Sequence, residues 1–177
     1  MQQIKQDSLN EWLVLRSQRG ERDALNELLG NWQQRYFLYA LNRLGETEAA
    51  RDVTQECLFG ISRNLKRLKD PAAFPKWSFR ILERRCMDWL RKTVRERKHV
   101  DRNVDLPEAW TNDTVEHDMN ISRLLAQLEP EIRQVLRLYY LEGQSIMAIA
   151  EICQLAEGTV KSRLFYARKF LATKIDK

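Results

Sequence analysis

Six side chains, Lys76, Arg80, Arg84, Asp88, Arg91 and Arg95, follow one another at steps of 4, 4, 4, 3 and 4. On a helix that spacing lines them along one face. Asp88 interrupts the cations and is placed to pair with Arg84 or Arg91 on neighbouring turns. Trp77, Phe79 and Trp89 are interleaved with them. Cations that track a phosphate backbone, beside rings that stack on unpaired bases, are the chemistry of single-stranded nucleic-acid binding. Part of each ring is expected to pack in the core, together with Ile81.

A second grouping lies upstream. Asp52, Gln55, Glu56, Phe59 and Arg63 share one helical face, opposite an apolar stripe of Ala50, Val53, Cys57, Ile61, Leu65 and Leu68. Two carboxylates could in principle serve acid/base chemistry, but no nucleophile or metal ligand accompanies them. An aromatic ring beside fixed polar groups on a solvent face instead suits protein docking.

The third grouping is C-terminal. Ile132, Val135, Leu136 and Tyr139 outline a scaffold helix, and a turn at Glu142-Gly143-Gln144 follows. Ser145 can cap a short helix carrying Ile146, Ile149, Ala150 and Cys153 on its apolar side. After Gln154-Leu155-Ala156 a last helix buries Val160, Leu164, Ala167 and Leu171. Short helix, tight turn and basic helix describe a helix-turn-helix. Its outer face offers Ser162, Tyr166 and Lys169, flanked by Lys161, Arg163, Phe165 and Arg168. Lys and Arg can reach guanine edges in a major groove, and Thr159 and Ser162 can bond phosphates.

The elements that position these groups are all helical. Helices are expected near residues 8–19, 22–44, 46–67, 73–97, 118–128, 131–142, 145–153 and 157–173, and no run alternates in the manner of a strand. Few turn formers (six Gly and four Pro in 177 residues) oppose turn-rich β folds and glycine-loop nucleotide folds. The fold class is therefore all-α: two small helical domains, 1–98 and 119–177, joined by a flexible acidic linker over 99–118. That linker holds Asp101, Asp105, Glu108, Asp113, Glu116 and Asp118 with little helical period.

Net charge follows the same division. The whole chain is +5, but residues 63–98 carry 13 basic and 4 acidic side chains, while residues 99–130 carry 2 and 7. Residues 1–62 are close to neutral and residues 131–177 mildly basic. Basic blocks favour polyanions, and an acidic block between them favours a different surface. Three separated cysteines, Cys57, Cys86 and Cys153, are expected as buried reduced thiols, and His99 and His117 lack metal-ligand spacing. No metal or cofactor is expected, nor is membrane insertion, and the localisation expected is cytoplasmic.

Several of these strings resemble a known family. Asp52-Val53-Thr54-Gln55-Glu56, Phe74-Pro75-Lys76-Trp77-Ser78-Phe79-Arg80-Ile81 and Asp88-Trp89-Leu90-Arg91 resemble the second conserved region of extracytoplasmic-function (ECF) sigma factors. Glu157-Gly158-Thr159-Val160-Lys161-Ser162-Arg163-Leu164, followed by Ala167-Arg168-Lys169, resembles the promoter-reading helix of their fourth region. The resemblance runs from about residue 21 to 173. It implies a non-enzymatic protein that binds core RNA polymerase, recognises −35 and −10 promoter elements and helps melt DNA. Asp52, Gln55 and Glu56, with Phe59 on the same face, would dock on the polymerase clamp. A loop near 67–73 with Lys76, Trp77, Arg80, Arg84, Asp88 and Arg91 would take the melted −10 strand. Thr159, Lys161, Ser162, Arg163, Phe165, Tyr166, Arg168 and Lys169 would serve the −35 duplex. The linker would thread polymerase channels, and an anti-sigma partner is a further expectation of the resemblance. Arg84 stands where the family often has Asn, and Tyr166 where a basic residue is common. The main rival reading is a self-sufficient helix-turn-helix regulator that binds its operator alone. A nucleic-acid-processing enzyme would need an acid/base or metal cluster, and none is legible.

Overall fold

The computed structural model describes residues 2–99, 124, 125 and 127–175. These residues divide between Glu96 and Arg97 into two compact helical units. The first holds α1 (Gln2–Gln18), α2 (Arg22–Leu44), α3 (Thr47–Asn64) and α4 (Phe74–His99), with single 3-10 turns at Leu65–Arg67 and Pro71–Ala73. The second holds α5 (Pro130–Tyr140), α6 (Ile146–Cys153) and α7 (Glu157–Ile175). The expected acidic linker, from residue 100 on, lies outside the described residues. So does most of the expected 118–128 helix, of which Leu124 and Leu125 are helical.

The first unit forms because its helices each carry an apolar stripe and are joined by sharp reversals. Gly45 ends α2 in the left-handed region (φ 79°), and its N–H donates to the Leu41 carbonyl. A side chain there would be strained, so glycine at this point lets α3 fold directly back on α2. Across the α1–α2 turn the Arg16 guanidinium holds the Glu21 carboxylate, which raises the pKa of Arg16 and lowers that of Glu21.

The core is aromatic. Trp32, Tyr36 and Tyr39 of α2 meet Phe74 and Phe79 of α4, with ring centroids 5.3–6.0 Å apart for Trp32–Phe74, Trp32–Phe79, Tyr36–Phe79 and Tyr39–Phe79. Each such side chain removed from water contributes about 1.5–3 kcal/mol. Trp32 Nε1 donates to Asn10 Oδ1 at 3.1 Å, tying α1 to this centre. The stripe expected on α3 is buried throughout, from Ala50 to Leu68. The helix itself stops at Asn64, three residues short of the expected 67, because the chain tightens into a 3-10 turn at Leu65.

The second unit is a helix-turn-helix. Val135, Leu136, Leu138, Ile149, Ile152, Val160, Leu164 and Ala167 are buried between α5, α6 and α7. Ser145 caps α6, its hydroxyl oxygen accepting from Ala148 N–H at 3.1 Å. The turn into α7 passes through Gln154 at φ 55° and ψ 47°. This left-handed step normally favours glycine or asparagine, and here a glutamine takes it.

Candidate nucleic-acid interface

On α3 the burial of one stripe turns Asp52, Gln55, Glu56 and Phe59 outward, and all four are exposed. Phe59 keeps 63% of its surface in solvent, with the Arg63 guanidinium 5.5 Å from its ring. Glu56 faces Arg85 of α4 at 3.6 Å, a surface ion pair of little energetic weight. Leaving a large aromatic ring open beside two carboxylates and an amide adds little to the unit's own stability, since the contacts of this face there are weak surface ones. The face is thus available to a partner.

Helix α4 sorts its residues by side. Phe79, Leu82 and Cys86 face the core and are fully buried, while Arg80, Arg84, Asp88, Arg91 and Arg95 are exposed. Lys76, Trp77 and Trp89 are half-buried. The expected interleaving of aromatics therefore holds for Trp77 and Trp89 and fails for Phe79, which closes against Trp32, Tyr36 and Tyr39. Asp88 pairs with Arg91 at 3.5 Å. Arg80 and Arg84 have no ion-pair partner among the described residues.

Between α3 and α4 lies a groove of about 480 Å³. Gly60 and Asn64 line it from α3, Arg67 from the 3-10 turn, and Trp77, Ile81, Arg84, Arg85 and Asp88 from α4. A Cβ at Gly60 would meet Ile81 at 3.6 Å, an ordinary contact, so the missing side chain widens the groove and is not demanded by packing. The groove is open at the surface and is not an enclosed ligand pocket. One ring wall, several guanidinium donors and one carboxylate acceptor match the face and edge of a nucleobase with its phosphate. The segment beside the groove adds Lys66, Arg67 and Lys69, all exposed. Their density along the chain could have marked them as site residues individually.

In α7, Lys161, Ser162, Phe165, Tyr166, Arg168 and Lys169 are exposed, and Thr159 and Arg163 are half-buried. Phe165 and Tyr166 keep 62% and 61% of their surface open. Two groups are already engaged within the unit. The Ser162 hydroxyl donates to the Thr159 carbonyl at 2.9 Å. Arg168 Nε donates to Tyr140 Oη at 2.8 Å, and its guanidinium lies 5.6 and 5.8 Å from the Tyr139 and Tyr140 rings. The bond to Tyr140 raises the pKa of Arg168 further and draws its charge toward α5. Of the expected −35 residues, Lys161, Arg163 and Lys169 have no ion-pair partner among the described residues and remain available cations.

Two family models match the chain in order. The Sigma-70 region 2 family matches residues 28–96, and the Sigma-70, region 4 family matches residues 118–171. The ECF RNA polymerase sigma factor SigL of Mycobacterium tuberculosis is 35% identical over 139 residues, covering 75% of this chain and 78% of that protein. The chain belongs to the ECF RNA polymerase sigma factors. The RNA polymerase sigma-H factor of Pseudomonas aeruginosa is 28% identical over 173 residues and 89% of both chains. The sigma-E factor of Haemophilus influenzae is 29% identical over 93% of this chain and 94% of its own.

As an ECF sigma factor the chain acts in transcription initiation and promoter recognition. Solved sigma factors share the fold. RpoE of Bartonella quintana, determined with the anti-sigma factor NepR, gives a TM-score of 0.71 at 23% identity, over 86% of this chain and 98% of that one. CnrH, determined with the cytosolic domain of CnrY, gives 0.64 at 20%, over 95% and 97%. The region 2 match spans α3 and most of α2 and α4, and the region 4 match spans α5, α6 and most of α7. A self-sufficient helix-turn-helix regulator does not account for a region 2 unit carrying its own open faces. Among the described residues no helix is long and apolar enough to cross a membrane, and no group of His, Cys, Asp or Glu could hold a metal.

Proposed function

We propose that this sigma factor divides its work among the three surfaces. Asp52, Gln55, Glu56 and Phe59 dock core RNA polymerase. The groove and stripe of Lys76, Trp77, Arg80, Arg84, Asp88 and Arg91 take the −10 element as a melted strand. Thr159, Lys161, Ser162, Arg163, Phe165, Tyr166 and Lys169 meet the −35 duplex, and Arg168 joins them once released from Tyr140. The domains run over 1–98 and 119–177, with 99–118 as the acidic tether between them. The protein works in the cytoplasm beside the polymerase and catalyses no covalent step of its own. An anti-sigma protein, as found with RpoE, is its expected antagonist.

The observation that carries this reading is the apposition, within one unit, of an open acidic and aromatic face on α3 and a cationic groove walled by Trp77 on α4. Extruding a base costs a few kcal/mol, and stacking returns about 1–3 kcal/mol per base. Neither grip suffices alone, so a second grip on duplex through a tether gains by effective concentration. The test is capture of the full-length chain by core polymerase. Asp52→Lys with Phe59→Ser alters two exposed positions, which leaves folding within about 0.5 kcal/mol of the parent. Loss of capture with unchanged thermal melting supports the reading, and capture equal to the parent overturns it.

A further inference from the structure

We propose that Gln18, at the end of α1, is the positioning residue that holds the loop of residues 65–70 in shape for strand capture. The inference rests on the reading above that the groove takes the melted strand, and extends it to this loop, whose Arg67 lines the groove. The Gln18 carboxamide nitrogen donates to the Leu65 carbonyl at 2.9 Å and to the Leu68 carbonyl at 2.7 Å. One amide nitrogen carries two hydrogens, and both are committed to this loop. The two carbonyls lie 47 and 50 residues away in sequence, so the bonds join the N-terminal helix to the loop across the fold.

The rest of the loop is built to the same end. Leu65 and Leu68 are buried, and Leu68 N–H closes the turn on the Leu65 carbonyl at 3.1 Å. Asp70 Oδ1 accepts from Ala72 N–H at 3.0 Å and fixes the exit into the second 3-10 turn. With its apolar residues pinned inward, the loop turns Lys66, Arg67 and Lys69 outward, and Arg67 lines the groove together with Trp77 and Arg84. Three cations on a short loop repel one another and would spread if the loop were free. Holding its carbonyls removes that freedom before the strand arrives, so less ordering remains for the binding step.

The test measures open-complex formation by holoenzyme on a duplex promoter, separating initial binding from the subsequent opening rate. Gln18→Met and Gln18→Glu are near-isosteric and both lack the donors. Each is expected to slow opening about tenfold, the equivalent of two ordinary hydrogen bonds, while core capture and initial duplex binding stay at parent values. A protein in which Lys66, Arg67 and Lys69 are all alanine serves as the partner background. If Gln18 acts through the loop, Gln18→Met adds nothing to the defect of that triple variant. Additive defects, or opening by both Gln18 variants at the parent rate, overturn the inference. If the triple alanine variant itself opens promoters at the parent rate, the loop reading fails and this inference with it.

Discussion

Glu83 offers a quantitative test of what holds the cationic helix in place. It lies on the inner side of α4, with 7% of its side chain exposed, and its Oε2 accepts from Tyr39 Oη at 2.9 Å. Its Oε1 is 3.4 Å from Arg43 Nε, whose own side chain is 11% exposed and also donates to Met87 Sδ at 3.1 Å. Both partners belong to α2, so this network fastens the inner face of α4 while Arg80 and Arg84 point outward. Glu83→Gln keeps a carbonyl for Tyr39 but removes the carboxylate charge that faces the buried Arg43 guanidinium. Breaking a buried pair costs about 3–5 kcal/mol, and the long ion-pair distance with the retained tyrosine bond places this change at about 2–3 kcal/mol. Glu83→Ala also loses the tyrosine bond and opens a void, so about 4–5 kcal/mol is expected. Tryptophan fluorescence during urea unfolding of the full chain gives the measurement. Four of the five tryptophans, Trp12, Trp32, Trp77 and Trp89, lie in the N-terminal unit, so most of the signal follows it. A loss below about 0.5 kcal/mol for Glu83→Gln, or equal losses for Gln and Ala, would refute the reasoning.

Two further outcomes are expected. Burial pushes the Cys57 thiol from 9.0 up to about 12, with Arg85 only partly opposing the shift. The folded value exceeds the unfolded one, so the neutral thiol's contribution is complete below about pH 9 and is lost as pH rises from there through 12. Cys57 should therefore resist iodoacetamide in the folded protein at pH 8, and Cys57→Ala should flatten the decline of urea stability between pH 9 and 11. Tyr140→Phe removes the acceptor that holds Arg168 Nε. It should steepen the salt dependence of −35 duplex binding by about one phosphate contact, and an unchanged slope in a filter-binding titration would show that Arg168 already reaches the backbone.

The periodic features were legible along the chain because burial on a helix repeats every three or four residues. The α3 stripe from Ala50 to Leu68 is buried as its spacing requires, and the opposite positions, Asp52, Gln55, Glu56 and Phe59, are exposed as a consequence. The cation steps along α4 and the cap at Ser145 were equally local signals. Element ends were less so. α1 begins at Gln2, ahead of the expected residue 8; the polar residues at its start carry no apolar period from which that start could be read. α3 yields to a 3-10 turn at Leu65 although its apolar spacing continues to Leu68.

By itself the sequence determined the helical class, the division into two units, which helix faces stay exposed and the family, since each rests on residue type and short-range spacing. Tertiary structure decided how individual side chains are spent. It closed Phe79 into the aromatic core, drew Arg168 onto Tyr139 and Tyr140, and paired Glu56 with Arg85. It also brought Gln18 to carbonyls 47 and 50 residues away. The physical reason is range: helical periodicity is written within a few residues, whereas a hydrogen bond or ring contact forms between whichever groups packing brings within about 3–6 Å.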